Sequence, residues 1–230
     1  MLLYILIYNN VILVILKKLG VAFVMRYFTR DRYEKMQVRG RFPIRTDDKE
    51  KWIKQLKEFC SECHVKDKEF DAWVFKHIPE VKDDILQGKK FTDKEVSEKL
   101  YIRIKEMAND WETAFKMYKA EYEDIKHKLP LSMRELRNYA FHDDIVLSLK
   151  KDSNNMINIE LQRYSLKFIN VREFETADDI IGDVWLFDEV HLSDIGNFDF
   201  QVLLYSPQGF LILHEFRVIA DDILIEIKRY

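Results

Sequence analysis

The side chains with most chemical potential lie in a short run, Cys60-Ser61-Glu62-Cys63-His64, which has the C-x-x-C-H spacing of covalent haem attachment. Read with the apolar start of the chain, that spacing describes a membrane-anchored haem protein outside the cytoplasm. The same two thiols would serve redox exchange if a strand preceded them in a βαβ setting, and zinc if four ligands converged. No such strand pattern precedes Cys60, and His64 and His77 supply too few further ligands at close spacing. Both cysteines also continue the helical stripe of Trp52 and Leu56, where a small buried thiol is an ordinary core residue. The core reading takes precedence, and no cofactor or metal is assigned.

A second constellation joins Phe141-His142-Asp143-Asp144 to Asp188-Glu189 and His191. A His-Asp doublet is the kind that metal-dependent phosphohydrolases use, but that chemistry needs further ligands on neighbouring helices. Here the doublet falls where a short helix passes into a strand, so His142 is expected to bond backbone and Asp143 to occupy a turn. His142, Asp143, Asp188 and Glu189 are kept as one candidate polar site, because paired carboxylates in different surroundings can divide acid and base roles. No catalytic residue is assigned. Asp178-Asp179 and Asp221-Asp222 read as solvated turns.

The six glycines are scattered, without the G-x-x-x-x-G-K or G-x-G-x-x-G spacing that cradles phosphate, and no G-x-S-x-G elbow occurs. The 37 basic and 40 acidic residues nearly cancel, so the net charge of −3 sets up no field that would draw a polyanion. Nucleic acid is therefore not expected as a partner. With 230 residues, 47% of them apolar, the chain can bury a core without disulfides or metal. Two cysteines three positions apart point to a reducing, cytoplasmic setting.

The elements that must position these groups fall into two halves. Thr29 caps a short helix that Pro43 ends, and Trp52, Leu56, Cys60 and Cys63 draw an amphipathic helix from Asp47. Phe70, Trp73, His77 and Val81 mark another, interrupted at Pro79. Thr92-Asp93-Lys94-Glu95 reads as a capping box, opening a long helix that carries Val96, Leu100, Ile104, Met107, Trp111, Phe115, Tyr118, Tyr122, Ile125 and Leu129 to Pro130. Ser132 caps a short helix to Tyr139. Thereafter the period changes to two. Strands are expected at Ile145–Leu149, Met156–Leu161, Leu166–Val171, Val184–Leu192, Phe198–Tyr205, Phe210–Phe216 and Ile223–Ile227. Short turns between them require antiparallel pairing. The expected fold class is α+β, with an N-terminal helical region containing one long helix and a C-terminal antiparallel β meander. Its segments are an apolar leader over 1–24, a helical region over 25–130 and a β domain over 131–230.

The leader has three readings. Leu2–Leu16 is apolar except for Asn9 and Asn10, and Lys17 and Lys18 follow, so a spanning helix would carry amides and lysines into the bilayer. A signal peptide would need positive charge first and small residues at a cleavage site. A hairpin about Asn9-Asn10 also fits. A translation start at Met25 is preferred, with membrane anchoring through residues 2–24 as the alternative.

The string Met25-Arg26-Tyr27-Phe28-Thr29-Arg30-Asp31-Arg32-Tyr33-Glu34-Lys35-Met36-Gln37, together with Trp185-Leu186-Phe187-Asp188-Glu189 and Phe198-Asp199-Phe200-Gln201-Val202-Leu203-Leu204, resembles a family of low-GC Gram-positive bacteria catalogued as domain of unknown function number 4085. Phe141-His142-Asp143 and Leu213-His214-Glu215-Phe216 also resemble its pattern. Val184 stands where the family pattern suggests a bulkier residue, and the middle helices diverge. The resemblance implies a bacterial protein starting at Met25 and assigns no reaction. The β half is further similar to small bacterial immunity-type domains, which bind and block a toxin. The leading functional expectation is accordingly a non-catalytic, protein-binding, immunity-like module. The alternatives are a small-molecule or metal-dependent enzyme around His142 and Asp188, and the C-x-x-C-H haem protein.

Overall fold

A computed structural model describes residues 25–42, 48–62, 68–152, 154–176 and 179–228. The leader, Cys63 and His64 lie outside the described residues, as does the side chain of Cys60. No described helix is long and apolar enough to cross a membrane. The chain is α+β, as its two hydrophobic periods require, and it divides into two compact units. One comprises Asp31–Phe115; the other joins the segment ending at Arg30 to the chain from Lys116 onward.

The first unit holds α1 (Arg30–Arg41), α2 (Lys49–Glu62), α3 (Lys68–His77), α4 (Lys82–Leu86) and most of α5 (Lys94–Ile125). Trp52, Leu56, Trp73, His77, Val81, Val96, Leu100 and Ile104 are buried, so the stripes read from spacing are the faces that pack. Pro79 separates α3 from α4 through the 3-10 turn Pro79–Val81, because proline cannot donate the backbone bond that would continue α3. The start of α5 differs from a capping box. Helix begins at Lys94, Asp93 accepts the Lys90 amide through its carboxylate at 2.8 Å, and Glu95 turns to Lys89 at 2.9 Å. Two lysines within reach outcompete the single backbone N–H that Glu95 would otherwise cap. Further along α5, Ala114 is buried and Phe115 is half exposed, a local exchange within the expected stripe.

The second unit opens its regular structure with α6 (Leu131–Glu135) and the 3-10 turn Leu136–Asn138. Ser132 is not its cap; Pro130 precedes the helix, and the Ser132 hydroxyl donates to Asp222 instead. Among the described residues eight strands follow: β1 (Val146–Asp152), β2 (Met156–Leu161), β3 (Tyr164–Ile169), β4 (Glu173–Thr176), β5 (Val184–His191), β6 (Phe198–Ser206), β7 (Ile212–Ala220) and β8 (Asp222–Ile227). All ladders are antiparallel, in two four-stranded sheets of order β1-β2-β3-β8 and β4-β7-β6-β5. The strands thus form two meanders whose last partners are exchanged. The chain leaves the first sheet after β3 and returns to it at β8. At these corners Asn170 takes φ 52°, and Arg172 binds Asp221 at 2.7 Å.

The sheets face each other across Ile157, Ile159, Leu166 and Phe168 on one side and Trp185, Phe200, Val202, Leu204, Phe216 and Val218 on the other. Alternation assigns these residues to the inner faces. β6 is buried on both faces, and its second face carries Asp199 and Gln201 beside Leu203. Burying polar groups on a sheet face requires partners for them.

Candidate functional site

That second face of the β5–β6–β7 sheet is where ionisable side chains converge. Within β5, Glu189 lies opposite Gln201 and His191 opposite Asp199, so both point to the second face, while Val190 faces the inter-sheet core. Glu189 is fully buried. Its carboxylate accepts the consecutive backbone amides of Arg26 at 3.0 Å, Tyr27 at 2.7 Å and Phe28, and it also faces His191 Nε2 at 3.0 Å. One carboxylate thus anchors the extended segment before α1. Phe28 reinforces the anchor by stacking on Phe187, with ring centroids 5.1 Å apart.

His191 Nδ1 meets Glu121 Oε1 from α5 at 2.8 Å. Both ring nitrogens therefore face groups that only accept, which holds the ring as imidazolium. Burial alone would lower its pKa, but the hydrogen bonds to Glu121 and Glu189 outweigh burial, and the balance is a raised value. The His191 bond likewise holds Glu121 down to about 2, against its own desolvation and with help from the Tyr27 hydroxyl. Tyr27 donates to Glu121, and burial followed by that carboxylate pushes the phenol well above its usual range. Arg26 completes the cluster at 3.2 Å from Glu121.

Asp188 lies on the other face of β5 from Glu189. Its partners are Trp185 Nε1 at 3.3 Å and Arg137 at 3.4 Å, and burial raises its pKa against the pull of Arg137. Arg137 is stacked over the rings of Tyr118 and Tyr122, 4.9 and 4.7 Å from their centroids. His142 and Asp143 are exposed and pair with each other at 3.1 Å. Among the described residues, no hydrogen bond or ion pair joins either of them to Asp188 or Glu189. Asp143 sits at φ 66°, a turn conformation that Asp tolerates, and the buried acid of that string is Asp144. Asp144 accepts the amides of Ile145 and Arg163 at 3.1 Å each and Arg163 Nε at 3.3 Å.

Of the four candidate residues, then, Glu189 joins the buried cluster, and Asp188 joins a separate one. Tyr27 and Glu121 were not singled out from sequence. Glu121 is one of 40 acidic residues with nothing to distinguish it, while Tyr27 lay in the opening string that carried the family resemblance. A further pair also escaped notice. His214 Nδ1 meets buried Asp183 at 2.6 Å, near Ser206, whose buried hydroxyl has no hydrogen-bond partner. No group of three or more His, Cys, Asp or Glu among the described residues is arranged to hold a metal ion.

The family model described as a protein of unknown function, DUF4085, matches residues 27–213, most of the chain and all of the Tyr27–Glu121–Glu189–His191 cluster. The chain belongs to the DUF4085 family. No curated protein and no solved structure matches it. What this DUF4085 member can do is set by the geometry of its side chains. In the buried cluster that geometry is one of saturation: Glu189 is met by four donors, and His191 has no ring nitrogen left to exchange a proton with a substrate.

Proposed function

We propose that the chain is a non-catalytic protein-binding module of immunity-like character. The observation that carries this reading is the contrast between its ionisable and its apolar groups. The buried acids and bases of the candidate site are tied to one another, whereas Leu147, Ile181, Phe210 and Ile212 are 49%, 50%, 44% and 40% exposed at one end of the two-sheet unit. Their common location follows from two contacts. Gly182 N donates to Val146 O at 2.8 Å, bringing Ile181 beside Leu147, and the Asp183–His214 bond brings both alongside the β6–β7 turn. Exposed apolar side chains grouped at one end suit a protein contact, and aromatic residues such as Phe210 supply its anchors.

The test is site-specific photocrosslinking in the native host, with the reactive residue placed at Ile181, at Phe210, or at Lys167 on the solvated face of β3. The expected result is one protein captured from both apolar positions and not from Lys167, with loss of capture in Phe210→Glu. Equal capture from all three positions, or none, would overturn the reading.

A further inference from the structure

We infer that the Glu121–His191–Glu189 cluster is a proton-operated latch on the segment Arg26–Phe28. Three successive amide groups of that segment, those of Arg26, Tyr27 and Phe28, end on the single carboxylate of Glu189. The carboxylate is in turn fixed by His191, and His191 by Glu121. Glu121 also binds the segment directly, through the Tyr27 hydroxyl and Arg26. The imidazolium thus lies between two carboxylates that hold the same segment, Glu189 through its backbone amides and Glu121 through its side chains.

The described groups facing His191 come from the segment, from α5 and from β6. From the segment come Arg26 and Tyr27, the latter stacked at 6.2 Å between centroids. From α5 come Glu121 and Tyr118, whose hydroxyl receives the Val190 amide at 2.9 Å. Across β6 stand Gln201 and Asp199, and Asp199 is held by Arg217. When the ring loses a proton, one bare nitrogen faces a carboxylate lone pair in a buried site, and Glu121 and Glu189 are left close together with less positive charge between them. The segment is then released from its anchor. Because the closed state binds the proton more tightly, closure is complete below the ordinary histidine range and weakens as pH rises towards the raised folded value.

Hydrogen exchange of the Arg26, Tyr27 and Phe28 amides in the full chain, corrected for the intrinsic pH dependence of exchange, tests the latch. Protection is expected to fall by up to about tenfold per pH unit above the ordinary histidine value, then level off once the closed form itself deprotonates. His191→Gln should remove that step. Flat protection to high pH in the unmodified chain, or the same step in His191→Gln, overturns the inference. Should His191→Gln fail to fold, nitrogen NMR of the unmodified His191 ring decides the matter: loss of the second ring proton with a midpoint above the ordinary histidine value supports the latch, and a midpoint at or below it rejects it.

Discussion

Arg217 reaches from β7 to both carboxylate oxygens of Asp199 on β6, at 2.9 and 3.0 Å through Nε and 2.7 Å through Nη2, and turns Nη1 towards Glu173 and Glu175 on β4 at 3.4 and 3.5 Å. One guanidinium therefore ties three strands on the second face of the sheet. Removing it would leave the Asp199 charge buried without compensation. Arg217→Ala is expected to destabilise the chain by about 3–5 kcal/mol, read as a shifted urea midpoint. The double variant Arg217→Met with Asp199→Asn should recover part of that loss. A single-variant loss below about 1 kcal/mol would mean that water satisfies Asp199.

Glu121 gives the acid side of the stability profile its sign. Its folded pKa of about 2 lies below the ordinary glutamate value of 4.5, with the His191 hydrogen bond as the first cause. The contribution is therefore complete above 4.5 and is lost as pH falls towards 2. Chemical denaturation at stepped pH should show stability falling through that window, and Glu121→Gln should flatten the fall while costing stability at neutral pH. An unchanged slope in Glu121→Gln would remove this residue from the acid response.

Trp185 is fully buried between the sheets, with its ring 6.0 Å from Phe200 and 5.7 Å from Phe216, and its indole nitrogen holds Asp188. Trp185→Ala empties that volume and leaves buried Asp188 with Arg137 as its remaining named partner. A loss of about 3–5 kcal/mol is expected from the cavity. Trp185→Phe keeps most of the volume and loses the N–H, so its smaller loss isolates the Asp188 bond. If the two variants unfolded at the same denaturant concentration, the indole ring would be contributing nothing through its packing.

The period of the sequence carried the elements, because packing selects the same faces that spacing marks. Val96, Leu100 and Ile104 form the stripe that their spacing predicts, and Met156–Leu161 is the strand that its sequence predicts, since burial decides those positions. β4 was not legible: Glu173–Thr176 has no apolar alternation and exists because β7 offers it a ladder. The division of the strands between two sheets was also hidden, since the corners at Asn170 and Asp221 look like ordinary turns. The buried cluster was half legible. Glu189 and His191 lie two apart on a strand, which places them on one face, but Tyr27 and Glu121 arrive from 162 and 70 residues away along the chain. Nothing local in sequence records such a meeting.

The Asp183–His214 pair is the arrangement that most resembles catalytic machinery, and its surroundings argue that it is structural. Asp183 Oδ2 lies 2.6 Å from His214 Nδ1, which orients the ring as the aspartate of a catalytic triad would. The next member of such a relay would be Ser206, which pairs with Ile212 while His214 pairs with Leu204, placing the two side chains diagonally on one sheet face. Yet the Ser206 hydroxyl is buried and makes no hydrogen bond to His214. An unactivated oxygen closed off from solvent cannot attack a substrate. A fluorophosphonate probe should therefore leave Ser206 unmodified, and His214→Ala should lower stability by about 1–3 kcal/mol by leaving Asp183 without its buried partner. Stoichiometric labelling of Ser206 that disappears in His214→Ala would instead make this pair an active site and defeat the binding-module reading.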